Sequence, residues 1–362
     1  MVSVTNLQSR FSVAAYAAPW WLPGGHAQTI YASLCAPRPR IAFRRERWET
    51  PDGDFIDLDF VADEGRESGV EAQQAFSNHE SRVTSHSFNG AGAPLVVLFH
   101  GLEGSSRSHY AAALMDAVRA LGWHGVVVHF RGCSGEPNRL PRAYHSGDAQ
   151  EIDWILRRLR ERNGGEPLFA AGVSLGGNAL LKWLGESGAG AGSVVQRAAA
   201  VSAPLDLMIS GDALGKGFNL IYAWHFLATL KEKARRKHAV HPGLIDAARL
   251  HAARTLRAFD DVVTAPLHGF RDTDDYWTRA SSKPALKDIR VPTLVLNARN
   301  DPFLPREALP DRHDVSPAVT LEQPEAGGHC AFVSGPFPGN LAWLPRRLLG
   351  FFGAPAMPAG PD

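Results

Sequence analysis

Hydrophobic and polar positions along this chain fall into two rhythms. Short apolar runs, Leu95 to Phe99, Gly125 to Phe130, Leu168 to Val173 and Arg197 to Ser202, alternate with longer segments of helical period. An unbroken apolar run is expected of a strand buried on both faces of a parallel sheet. An apolar stripe recurring every three to four residues marks a helix packed on that sheet. His109 to Leu121, Asp148 to Arg162 and Leu175 to Glu186 are the helical segments between these runs. Strand and helix in this order predict right-handed crossovers and a doubly wound α/β sheet.

Ahead of this block, Ile41 to Trp48 and Phe55 to Val61 flank Pro51-Asp52-Gly53-Asp54 and read as a hairpin. Residues 63–93 are rich in Gly, Ser, Glu and Asn with few aliphatics, which predicts a long surface loop. The alternation stops at Ala203-Pro204. Residues 205–285 carry helical patterns, Leu220 to Lys237 and Leu244 to Phe259 among them, with many aromatics. Strand-helix order resumes at Val291 to Asn297 and ends with an amphipathic helix over Asn340 to Phe352. The expected organisation is a mostly parallel core over residues 1–204 and 286–362. Residues 205–285 would be inserted as a helical cap over the C-terminal edge of the sheet, where open α/β folds bind ligands.

Composition narrows the function classes. The chain has 362 residues, 44% hydrophobic and 21% charged, with a formal net charge of +1. A nucleic-acid partner held by phosphate neutralisation is not expected at that balance. The basic run Lys231 to Lys237 reads first as a solvated helix face, with an anionic or lipid-headgroup surface as the alternative. Cys35, Cys133 and Cys330 are scattered, with neither disulfide nor metal-ligand spacing, so no metal and no cofactor are expected and a reducing cytoplasm suits them. No apolar run approaches the roughly 20 residues of a membrane span. Ser12 to Ala18 is too short and too weakly basic at its start to read as a signal peptide.

The candidate chemistry centres on Gly172-Val173-Ser174-Leu175-Gly176, placed between a strand and a helix. A nucleophile elbow holds its serine in a strained conformation, and side chains at 172 or 176 would clash with neighbouring elements. The turn presents the serine oxygen near a helix N-terminus, which favours developing negative charge. A serine hydroxyl needs a base, and the base an orienting acid. Asp301 follows the strand Val291 to Asn297, and His329 follows the probable strand Val319 to Gln323, so both fall at the same sheet edge in the order Ser, Asp, His. The oxyanion donors would be the backbone N–H groups of Leu175 and of Leu102, in His100-Gly-Leu-Glu-Gly-Ser105. His100 reads as a brace for that loop. Arg131 reads as a tie for loop carbonyls, with a substrate carboxylate or phosphate clamp as the alternative. Cys133 and Cys330 sit on no elbow and read as packing.

These residues also carry a family resemblance. His100-Gly-Leu-Glu-Gly-Ser105, Phe130-Arg-Gly-Cys-Ser-Gly-Glu-Pro-Asn138, Tyr144-His-Ser-Gly147, Gly172-Val-Ser-Leu-Gly-Gly-Asn178 and Asn300-Asp-Pro-Phe303 resemble the YheT group of α/β-hydrolases. That group is the bacterial branch of a family containing eukaryotic abhydrolase-domain lipases and phospholipases. Gly25-His-Ala-Gln-Thr-Ile30 and Phe259-Asp-Asp-Val-Val-Thr-Ala-Pro266 extend the match over nearly the whole chain outside 63–93. The resemblance implies a capped α/β-hydrolase fold, a Ser174/Asp301/His329 triad, and activity on carboxylic esters such as short-chain esters and acylglycerols.

The expected function is therefore a serine esterase of short- to medium-chain acyl esters or acylglycerols, with Phe218, Tyr222, Trp224 and Phe226 of the cap as acyl-pocket candidates. The same triad would serve a thioesterase, or a lipase or phospholipase touching a membrane surface transiently. A non-catalytic binding protein would be expected to lack one of the three residues, and all three are present.

Overall fold

The computed structural model describes residues 14–62 and 92–353. Its strands are β1 (Phe43–Glu49), β2 (Phe55–Val61), β3 (Leu95–Phe99), β4 (His124–His129), β5 (Leu168–Val173), β6 (Arg197–Val201), β7 (Thr293–Leu296) and β8 (Val319–Glu322). They form one sheet in the order β1-β2-β4-β3-β5-β6-β7-β8. β2 runs antiparallel to β1 and β4, and the remaining neighbours are parallel. The expected doubly wound sheet with its leading hairpin is the fold observed. All but Gly92 and Ala93 of the loop expected over 63–93 lies outside the described residues, as do Ser12 and Val13.

Helix α1 (Gly25–Leu34) precedes the sheet, α2 (His109–Ala120) and α3 (Ala149–Arg162) flank β4, and α4 (Leu175–Ser187) follows β5. Between β6 and β7 come α5 (Leu207–Leu214), α6 (Leu220–Val240), α7 (Ala247–Ala252), α8 (Leu256–Phe259), α9 (Ala265–Leu267) and α10 (Thr273–Ala280). α11 (Trp343–Phe352) closes the described chain. Period-two alternation sends successive residues of the fully buried β3 to opposite faces. Val97 and Phe99 meet the α3 and α4 side chains Ile152, Ile155, Leu180 and Leu184. Val96 and Leu98 meet Leu114, Met115, Leu344 and Leu348 of α2 and α11.

The edge hairpin uses charge where the centre uses apolar packing. Arg45 and Arg47 of β1 stand opposite Asp59 and Asp57 of β2 and make paired hydrogen bonds of 2.7–2.9 Å to them. Two expectations for the helical block need correction. The single helix expected over Leu244 to Phe259 is two, because Ala253 turns extended and Thr255 caps a new helix by accepting the Ala258 N–H. The basic run is not a solvated face. Arg235 and Arg236 are exposed, but Lys231, Lys233 and Lys237 turn inward, donating to the His251 carbonyl, to Glu103, and to Asn138 with the Leu140 and Arg142 carbonyls.

Leu98 is wholly buried in the central strand, so Leu98→Ala should lower stability by about 2–5 kcal/mol. Urea unfolding with an unchanged slope would show this as a lower midpoint.

Candidate active site

Ser174 stands between β5 and α4 with φ 54° and ψ −122°, a conformation that L-residues rarely adopt. Its N–H donates to the Val201 carbonyl (2.8 Å) and its carbonyl accepts from Asn178 N–H (3.1 Å), so strands on one side and the helix on the other fix the turn. The flanking glycines are sterically required. A Cβ on Gly172 would lie 2.5 Å from the Gly176 oxygen, and one on Gly176 would lie 2.5 Å from the Phe99 and His100 oxygens. The turn is pressed against the end of β3.

The loops after β7 and β8 bring the other two candidates to this turn. The Ser174 hydroxyl is 3.0 Å from His329 Nε2, and His329 Nδ1 is 2.8 Å from Asp301 Oδ2. With Nδ1 carrying the proton toward the carboxylate, Nε2 is left as acceptor for the serine O–H. Asp301 also accepts the Phe303 N–H (2.8 Å), and its side chain is fully buried. The Phe303 ring lies over the imidazole, centroids 4.1 Å apart. Burial works against the imidazolium, but the adjacent Asp301 carboxylate outweighs it and holds the His329 pKa above its ordinary value.

Leu175 is the first residue of α4, so its N–H has no carbonyl four residues back. Leu102 lies in the loop after β3. Among the described residues neither N–H has a protein acceptor, and both residues line the same cavity as Ser174 and His329. The loop is braced on both sides. His100 is fully buried, donating from Nδ1 to the Gly101 carbonyl and accepting the Phe130 N–H at Nε2. Burial lowers its pKa to about 3, so it stays neutral. Gly101 and Glu103 donate to the hydroxyls of Tyr110 and Tyr144.

A cavity of about 630 Å³ separates this edge from the helical block, walled by Phe226, Leu230, Phe259, Val263 and Leu214. Such a volume is typical of a small-molecule site. Of the four aromatic candidates Phe226 is in that lining, and Phe218, Tyr222 and Trp224 are outside it. Phe218, in the turn before α6, is half exposed, and Tyr222 in the first turn of α6 packs against Phe303. Phe226 and Leu230, one and two turns farther on, do line the cavity, as do Lys233 and Lys237 beyond them. Arg131 departs from the expected tie to loop carbonyls. It borders the cavity but is buried and bound to carboxylates, Glu151, Asp52 and Asp54 at 2.7–3.1 Å, rather than to carbonyls.

Sequence reasoning missed Gln28 and Thr29 on α1 and Asn300 in the acid loop as contributors. Gln28 Oε1 accepts the Gly327 N–H and an Asn300 Nδ2–H, and Thr29 Oγ1 accepts the His329 N–H at 2.8 Å. Their one signal was the run Gly25 to Ile30, noticed only for its resemblance. Among the described residues no group of three or more His, Cys, Asp or Glu could hold a metal ion, and no helix is long and apolar enough to cross a membrane.

A family profile described as the alpha/beta hydrolase fold matches residues 94–336. This chain belongs to the α/β-hydrolase family. Within it the chain is YheT-like. It is 38% identical over 325 residues to YheT of Escherichia coli (strain K12), which carries a provisional esterase designation, covering 89% of this chain and 88% of that one. Phospholipase ABHD3 of Mus musculus is 29% identical, covering 90% and 75%. A monoacylglycerol lipase of Saccharomyces cerevisiae is 27% identical, covering 85% and 74%. Among solved structures, 2,6-dihydroxy-pseudo-oxynicotine hydrolase superposes with a TM-score of 0.52 at 14% identity, covering 87% and 68%, a likeness of fold.

The buried carboxylates around Arg131 give this α/β-hydrolase a further test. Arg131→Met should cost about 3–5 kcal/mol, because it leaves Glu151 and Asp54 buried without their cation. Denaturant unfolding would measure the loss. Activity per folded molecule should stay unchanged, which a substrate clamp would not allow.

Proposed function

We propose that this enzyme hydrolyses short- to medium-chain carboxylic esters, acylglycerols included, through an acyl-enzyme on Ser174. Its family makes it a hydrolase of the esterase and lipase type. The observation that carries the finer reading is the unbroken chain from Ser174 Oγ to His329 to Asp301, 3.0 and 2.8 Å long, at the wall of an apolar cavity. His329 takes the serine proton as Oγ attacks the ester carbonyl. Asp301 keeps the imidazole oriented and stabilises its charged form. The N–H groups of Leu175 and Leu102 receive the oxyanion, each worth about 10²–10³ in rate. The alcohol departs with the proton from His329, and water repeats the sequence to free the acid. In this reading residues 205–285 act as a helical cap on the core of residues 1–204 and 286–362, and Phe226 and Leu230 face the acyl chain in place of Phe218 and Tyr222. The three cysteines are unpaired, which fits action in the cytoplasm.

A lipase or phospholipase acting transiently at a membrane surface is the second reading. Phe218 just ahead of α6, and Ile221 and Trp224 in its first turns, each about half exposed, favour it.

p-Nitrophenyl esters from acetate to palmitate test both. Wild type should turn over the shorter esters, and Ser174→Ala should lower kcat by roughly 10³-fold or more while remaining folded. Retained activity in that variant would overturn the serine mechanism. Turnover confined to vesicle-borne esters would shift the assignment to the second reading. Phe226→Ala should move the chain-length optimum upward by opening the cavity. Because Asp301 raises the His329 pKa, and the neutral imidazole is the base, kcat/KM should fall with decreasing pH along a limb whose midpoint lies above 6.5. A pH–rate profile checks this.

A further inference from the structure

The loop that carries His329 makes almost none of its own hydrogen bonds. Gly328, Cys330 and Phe332 have φ of 58°, 57° and 43°, so the chain there lies outside helix and strand geometry. Yet four consecutive N–H groups are satisfied by side-chain oxygens from elsewhere. Gly327 donates to Gln28 Oε1 (3.0 Å), Gly328 to Asn300 Oδ1 (3.0 Å), His329 to Thr29 Oγ1 (2.8 Å) and Cys330 to Ser202 Oγ (3.0 Å). Two of these acceptors belong to α1, and a third, Asn300, is itself held by donating to Gln28 Oε1 at 3.1 Å.

α1 is in turn fixed. Gln28 is buried and donates to the Leu22 carbonyl, and Thr29 donates to the Gly25 carbonyl. A Cβ on Gly25 would collide with the Asn300 oxygen, and one on Gly328 would come within 2.9 Å of Gln28 Cβ and Thr29 Oγ1. On its outer side His26 meets the Tyr222 hydroxyl at 3.1 Å, and the Tyr222 ring packs on Phe303, which covers His329. The helix thus touches the base loop and the acid loop directly, and reaches the imidazole's cover through α6.

We propose that Gln28 and Thr29 are positioning residues for ester hydrolysis, holding the backbone of Gly327 to His329 so that the imidazole meets Ser174 and Asp301 together. The inference rests on the reading of those three residues as the ester-cleaving set. Neither α1 residue lines the cavity, so substrate binding is untouched by them. A freed loop would let the imidazole drift from both partners, and displacement of about 1 Å costs up to roughly 10²-fold in rate.

The test is steady-state kinetics on p-nitrophenyl butyrate for Thr29→Val, Thr29→Ser, Gln28→Met and Ser174→Ala, with thermal unfolding of each. Thr29→Val and Gln28→Met should lower kcat by roughly 10–100-fold with KM within about two-fold. The acid limb of kcat/KM should move down toward the ordinary imidazole value as the Asp301 contact loosens. Thr29→Ser, which keeps the acceptor, should restore both. The proposal falls if the folded variants keep kcat within about two-fold of wild type. It falls equally if the loss is in KM, or if kcat drops only with the folded fraction while the pH limb stays put. Should Thr29→Val not fold, Thr29→Ala compared with Thr29→Ser decides the point on the same readouts. Activity surviving in Ser174→Ala would instead remove the underlying reading, an outcome distinct from failure of the α1 variants.

Discussion

Ser174 is held in a backbone conformation that costs about 1–3 kcal/mol, and the C-terminal edge of the sheet is organised around sustaining it. β5 and α4 cannot relax the turn, because Gly172 and Gly176 already leave no room beyond their hydrogens. The Val201 carbonyl anchors the serine N–H from the next strand. The same close approach to β3 brings the Leu102 loop beside the serine. One local strain thus fixes Ser174 against the end of β3 and the loop that carries Leu102.

Around that fixed point the supporting groups are polar and paired with one another. His100, fully buried and neutral, turns the loop after β3. Arg131 gathers Asp52, Asp54 and Glu151 under the loop after β4, and Lys233 ties α6 to Glu103, the neighbour of Leu102. Buried charges in this arrangement add little net stability over an apolar core, but leaving any one unpaired is expensive. They therefore restrict the loops to one arrangement while the apolar layers on both faces of the sheet supply the bulk of the stability.

The cavity divides the labour differently. Its sheet-edge wall carries Ser174 and His329, whereas the helical block contributes aliphatic and aromatic side chains together with Lys233, Lys237 and Asp260. The strained turn and most of the apolar lining thus belong to separate elements of the fold.

Strand runs that are apolar at every position, the hairpin, and the glycine-serine turn were legible from the sequence, because each follows from rules acting over a few residues. Buried strands need continuous apolarity, and a strained turn needs glycine. The positions of Asp301 and His329 followed from the same logic, each lying just beyond a strand. Helix α1, the inward lysines of α6, the carboxylate partners of Arg131 and the displacement of Phe218 and Tyr222 from the cavity were not legible. Each depends on which distant segment lies opposite: Gln28 is 299 residues from Gly327, and Lys233 is 130 from Glu103. Composition and periodicity report the burial a residue seeks. Which partner supplies its hydrogen bond is decided only when the sheet brings both ends of the chain to one edge.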